Sequence, residues 1–182
     1  MQMRHFHKLK FILPLIVIAL GAGAWIYLRQ GPDIVLPTTL QGIPLHYSLT
    51  GKEAAEALRQ MHGKSVVPAK NAIGVYEEGR RRVILYISSF PSPSAATDRL
   101  HEMAEEIGEG SSGFGHHTDF TVGQQAVHQV LGYGQVHYFF ARDHFVYWLS
   151  VDADLAQPAL AELLQVNENE IPVPFMDRLR ER

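Results

Sequence analysis

Residues 135–151 read QVHYFFARDHFVYWLSV, and this run decides the fold. Aromatic and β-branched residues crowd two short segments, Gln135 to Ala141 and His144 to Val151, on either side of Arg142-Asp143. That composition around a polar pair is the pattern of a β-hairpin. A two-residue loop at Arg142-Asp143 sets Ala141 opposite His144 and His137 opposite Trp148. Side chains alternate along a strand, so Val136, Tyr138, Phe140, Phe145, Tyr147 and Leu149 share one face. His137, Phe139, Val146 and Trp148 share the other. Both faces are largely apolar, so the hairpin is expected mid-sheet, covered on both sides.

Upstream of Gly132-Tyr133-Gly134, a further strand is expected from about Phe120 to Leu131, interrupted by Gly123. A two-residue turn at Gly132-Tyr133 would set His128 opposite His137. Nearer the start, Leu45 to Leu49 reads as a short strand. Asn71 to Glu77 and Arg81 to Ser89 read as a pair around Glu78-Gly79-Arg80, with VILYI apolar enough for a central strand.

Three helices separate these strands. Thr50-Gly51-Lys52-Glu53 has capping-box form and opens a helix to about His62, with Ala54, Leu58 and Met61 on one face. Ser94 is a candidate cap for a second helix to about Ile107, striped by Ala96, Leu100, Met103, Ala104 and Ile107. A third runs from about Leu155 to Val166, with Asp152 or Asp154 as cap and Leu160, Leu163 and Leu164 inward. The expectation is an α+β domain over 45–166, with a mainly antiparallel sheet of about five strands and about three helices.

Residues 11–28, FILPLIVIALGAGAWIYL, carry no charge, and Arg4, Lys8 and Lys10 precede them. As a helix they would span about 27 Å, close to the hydrocarbon thickness of a bilayer. The basic flank keeps residues 1–10 in the cytoplasm as a short stub and sends the rest across. The expected location is a single-pass membrane protein with an exported domain, most simply in a bacterial periplasm. Ala22-Gly23-Ala24 has the form of a signal-peptidase site, so a cleaved signal peptide and a soluble exported protein is the alternative. The apolar run continues past that site, which favours the uncleaved signal anchor. Residues 29–44, with three prolines and two glycines, read as a stiff extended tether. The polar tail 167–182 reads as loosely held.

Hydrophobic residues at 46% suffice for one core in the part beyond the tether. The chain has no cysteine, so its exported domain stands without disulfides or thiolate metal ligands. A net charge of −3, with Arg80-Arg81-Arg82 the only basic cluster, gives no footprint for nucleic acid.

Motifs for chemistry are sparse. Gly108-Glu109-Gly110-Ser111-Ser112-Gly113 matches G-x-G-x-x-G but follows a helix and precedes a strand, the reverse of a dinucleotide site. No G-x-S-x-G occurs, and Ser88-Ser89 sit beside no evident base. Glu102 and Glu106 on the second helix, His116 and His117 after the glycine-rich loop, and His128 and His137 on the strands are candidate ligands for Zn²⁺, Ni²⁺ or Cu²⁺. No H-E-x-x-H spacing fixes their geometry, and a solvated acidic face with loop histidines is the simpler reading. The sequence therefore favours a non-catalytic binding or accessory domain, acting through an envelope protein partner or a ligand and needing no cofactor. Transition-metal binding through 101–144 and a hydrolase with an unannounced site are the alternatives.

Overall fold

The 135–151 hairpin is present, with its turn one residue further on than expected. In a computed structural model that describes residues 31–62, 70–108 and 113–172, strands Gln135–Arg142 and Phe145–Val151 meet around Asp143-His144. His137 therefore faces Ser150, and Trp148 faces Phe139. Asp143 takes a positive φ of 53°, the left-handed geometry that tight hairpin turns demand. Moving a turn by one residue shifts each strand by one, so every side chain keeps its expected face.

The described chain is an α+β domain with one antiparallel sheet of eight strands, against the expected five or so. In order the strands are β1 (Thr39–Leu40), β2 (Ile43–Thr50), β3 (Lys70–Glu78), β4 (Arg81–Ser89), β5 (Gly115–Val122), β6 (Gln125–Gly132), β7 (Gln135–Arg142) and β8 (Phe145–Val151). Helices α1 (Gly51–His62), α2 (Pro93–Gly108) and α3 (Ala156–Leu164) complete it, followed by a 3-10 turn, Glu168–Glu170. Across the sheet the order is β1-β2-β3-β4-β8-β7-β6-β5, so the founding hairpin and β4 lie centrally.

The undercount has two causes. Gly123 is not an interruption but the first turn residue of a separate β5–β6 hairpin, with φ 59° and Val122 opposite Gln125. Gln41 and Gly42, both at positive φ, turn a short β1–β2 hairpin inside the segment read as a tether.

Helices cover both faces, as the two apolar faces of the hairpin require. On one, α1 sets Ala54 and Leu58 over Ile73, with Leu49, Ile84 and Tyr86 around them. Beside it, α2 sets Leu100 and Ile107 over Val130 and Phe139, with Met103 and Trp148 packed alongside. Met61, expected on the inner stripe of α1, is 60% exposed. On the opposite face, Leu155, Ala159, Leu160 and Leu163 of the α3 region pack on Leu85, Leu149, Val151, Tyr138 and Phe140.

Residues 31–44 lie on that same face as a strap. Leu40 and Ile43 are fully buried, and Ile34 and Leu36 pack against the core. The Tyr76 hydroxyl donates to the Pro37 carbonyl at 2.9 Å, Ser89 Oγ to the Pro32 carbonyl at 2.7 Å, and Lys70 Nζ to the Gly31 carbonyl at 2.9 Å. Gln41 donates from its backbone and its amide to the Glu162 carboxylate at 2.7 and 2.8 Å, closing the strap onto α3. The prolines hold this segment extended, and its alternating apolar residues bury it.

The caps also differ from expectation. Ser92, not Ser94, accepts the Ala95 N–H at the start of α2, at 3.2 Å. Neither Asp152 nor Asp154 caps α3, which begins without a side-chain cap. Asp152 instead accepts from the Arg82 N–H and from Gln135 Nε2. Within the tail, Ile171 is 2% exposed and its carbonyl accepts from Gln157 Nε2, so the chain remains packed to that point. The expected anchor 11–28, the cytoplasmic stub and residues 173–182 lie outside the described residues. Among the described residues, no helix is long and apolar enough to cross a membrane.

Candidate functional site

The strand register gathers the histidines that the sequence scattered. Asp119 on β5 stands opposite His128 on β6, and His128 opposite Phe139 on β7, which stands opposite Trp148 on β8. His117, two residues before Asp119, lies on the same face, as the period of a strand requires. It is the diagonal neighbour of His128, and their rings meet with Nε2 of His117 3.1 Å from Nδ1 of His128. One of the two nitrogens must carry the proton and the other accept it.

Aromatic stacking fixes this pair from beneath. The His128 ring stacks on Phe139 at 4.8 Å and 16°, and Phe139 stacks on Trp148 at 4.9 Å and 15°. His117 also lies over Phe139, at 6.0 Å and 25°. His117 is exposed while His128 is half-buried. Burial pushes the pKa of His128 down; the neighbouring His117 and, more weakly, His101 add to this, and Asp119 opposes them. Burial thus favours the neutral form of the His128 imidazole.

His137, which a two-residue turn at Gly132-Tyr133 would have set opposite His128, is instead its diagonal neighbour across β6 and β7. The turn falls at Tyr133-Gly134, with φ of 53° and 78°, which sets His137 against Val130. Its two ring nitrogens are both engaged. Trp148 Nε1–H donates to Nδ1 at 3.1 Å, and Nε2 lies 3.0 Å from the Gly132 carbonyl, to which it donates. Burial lowers its pKa, the bond to Gly132 opposing. The geometry makes His137 a structural group, with no lone pair facing outward.

The remaining candidates lie on α2, at the β5 bulge and on the β7–β8 turn. Glu102 is exposed on α2, where Arg99 Nη1 donates to it at 2.9 Å. Glu106 lies one turn further along α2, half-buried. His116 is exposed and takes a positive φ of 55°, where β5 bulges between Gly115 and Thr118. His144, on the β7–β8 turn, has Nδ1 3.1 Å from the Phe90 carbonyl. Among the described residues, no group of three or more His, Asp and Glu side chains is placed to hold a metal ion. Residues 109–112 of the glycine-rich string lie outside the described residues. The hydroxyls of Ser88 and Ser89 donate to Asn71 Oδ1 and the Pro32 carbonyl, so neither faces a base that could activate it.

Two features were not found from the sequence. One is a cavity of about 200 Å³ between the strap and α3, lined by Val35, Pro37, Leu40, Tyr147 and Leu163. Its charged neighbours are already engaged, Arg142 with the Leu163 carbonyl and Glu162 with Gln41. The other is the asymmetry of the sheet's two margins. One ends in the two-residue β1 beside Pro44, whereas the other ends in the eight-residue β5, with only Phe120 and Thr118 half-covered and Val122 buried. No protein-family model, curated protein or solved structure matches this chain.

Proposed function

We propose that this chain is a single-span envelope protein, anchored by residues 11–28 with its α+β domain exported, and that the domain is a non-catalytic binding module. Its occupant is an extended segment of a partner envelope protein, which adds along β5. The observation that supports this reading is the contrast between the margins. Proteins blunt an edge strand by shortening it, by placing lysine or proline on it, or by covering it. At the β1 margin the two-residue β1 covers only Ile43 and Pro44 of β2, and the rest of β2 is blunted by its bulge between Leu45 and Tyr47. The β5 margin carries no lysine or proline over its eight residues, and among the described residues no strand lies beyond it. Its bulge between Gly115 and Thr118 disturbs only the first residues and leaves Thr118 to Val122 regular. A strand of that kind offers backbone donors and acceptors to an added strand, with alternate side chains setting specificity.

The test is a photo-crosslinking amino acid placed at Thr121 on β5 and, separately, at Met61 on α1, in the full-length membrane protein. One defined envelope partner captured from position 121 and not from 61 is expected. Equal capture at both positions, or none from 121, removes the edge from consideration.

A further inference from the structure

The His117–His128 pair has the dimensions of a chelate. Two imidazole nitrogens bound to one tetrahedral zinc ion at 2.0–2.1 Å stand about 3.3–3.4 Å apart. Here the two ring nitrogens already face one another at 3.1 Å. Opening that gap by a few tenths of an ångström lets an ion take the place of the hydrogen bond, and His117 is exposed on the outermost strand, its ring over Phe139. The other ring is held in place: His128 stacks on Phe139, which stacks on Trp148, so its lone pair keeps its aim without a metal.

We propose that His117 Nε2 and His128 Nδ1 form a two-histidine Zn²⁺ site at the β5 margin, its other coordination positions filled by water. The site is independent of the partner proposed above. It differs from a structural zinc site, which is closed by four protein ligands. Asp119, opposite His128 in register, supplies negative charge beside the ion without being counted as a ligand. His137 takes no part, because both its nitrogens are used within the fold. Binding moves the proton held between the rings to the far nitrogen of the ring that gave it up, so a neutral pair takes up the ion as two neutral ligands with no net proton release.

The test is isothermal titration of full-length, untagged protein in detergent with Zn²⁺ alone. A His5→Gln/His7→Gln background removes the pair of histidines near the N-terminus. One equivalent per chain is expected. His117→Gln, an exposed change that leaves the core untouched, should weaken it by at least about tenfold, the loss that even a supporting residue's removal can bring. His128→Gln should do the same, while His46→Gln, on the exposed part of β2, should not. Should His128→Gln lower stability, broadening of the His117 and His128 ring signals by Ni²⁺ in the His5→Gln/His7→Gln protein reports the site directly. Absence of saturable binding, or binding that survives His117→Gln unchanged, overturns the proposal.

Discussion

Replacing His137 tests the account of the sheet's interior most sharply. The residue is 5% exposed, accepts from Trp148 Nε1 and donates to the Gly132 carbonyl. His137→Leu removes both bonds and leaves an indole N–H and a carbonyl with no partner. A stranded polar group costs about 1–3 kcal/mol and a lost neutral bond about 1, so a loss of about 2–4 kcal/mol is expected, Trp148 being only half-buried. The pH dependence gives an independent reading. Protonated His137 would turn an Nδ1–H against the Trp148 N–H, so the fold holds the ring neutral and its pKa lies below the unfolded value near 6.5. The unfolded chain therefore takes up the proton first. This contribution is complete above about pH 6.5 and declines on acidification by up to about 1.4 kcal/mol per pH unit, until the folded pKa is reached. His128, whose pKa is also depressed, adds a slope of the same sign. Urea unfolding of the full-length protein, followed by Trp148 fluorescence in a Trp25→Phe background, measures both effects. Between about pH 7.5 and about pH 5.5, His137→Gln should lose less stability than the parent. Parallel pH profiles, together with a His137→Leu cost below about 0.5 kcal/mol, would falsify the assigned hydrogen bonds.

Other outcomes follow from the same packing. Phe139→Ala empties the fully buried centre beneath α2 and should cost about 3–5 kcal/mol by urea denaturation, with the His117 and His128 rings no longer held together in histidine NMR spectra. Gly31 sits at φ 72° against the Phe90 carbonyl, so Gly31→Ala should release the start of the strap, seen as faster hydrogen exchange over 31–37. Gln165 ends α3 in the left-handed conformation at φ 59° and ψ 44°, and Gln165→Gly should stabilise by up to about 1 kcal/mol in thermal melts. Thr118 Oγ1 is buried with no partner among the described residues, so Thr118→Val should be neutral or raise stability by up to about 1 kcal/mol.

Strand periodicity was robust where turn positions were not. The faces of the founding hairpin were legible because the turn's displacement moved both strands together, which leaves alternation unchanged. The inner stripe of α2 was legible for the same reason at helical spacing, and Ala96, Leu100 and Ile107 are all buried. Gly123-Gln124 is inconspicuous because it lacks the Asn-Gly or Asp-Gly signature of a tight turn, so two strands read as one. The strap reads as a tether because prolines that make a free segment stiff also make a docked one extended, and only its burial distinguishes the two. Of the site candidates, His117 and His128 could be proposed as ligands, but their meeting depends on the β5 bulge and the β5–β6 register. Neither leaves a mark in residue spacing. That His137 and Trp148 share a face as cross-strand neighbours was legible, but the expected turn placed them directly opposite, whereas their hydrogen bond is made on the diagonal.

The docked strap also sets a distance. A free segment of sixteen residues, 29–44, could carry a domain about 50 Å from the point where the chain leaves a bilayer. With the strap bound from Gly31 onward, only Arg29 and Gln30 separate Leu28 from the folded body, a reach of at most about 10 Å. In the anchored protein proposed above, the end of the sheet carrying Lys70, Phe90 and the Asp143-His144 turn then stays at the headgroups. The domain patrols almost no volume, and a partner must come to the membrane surface to be met.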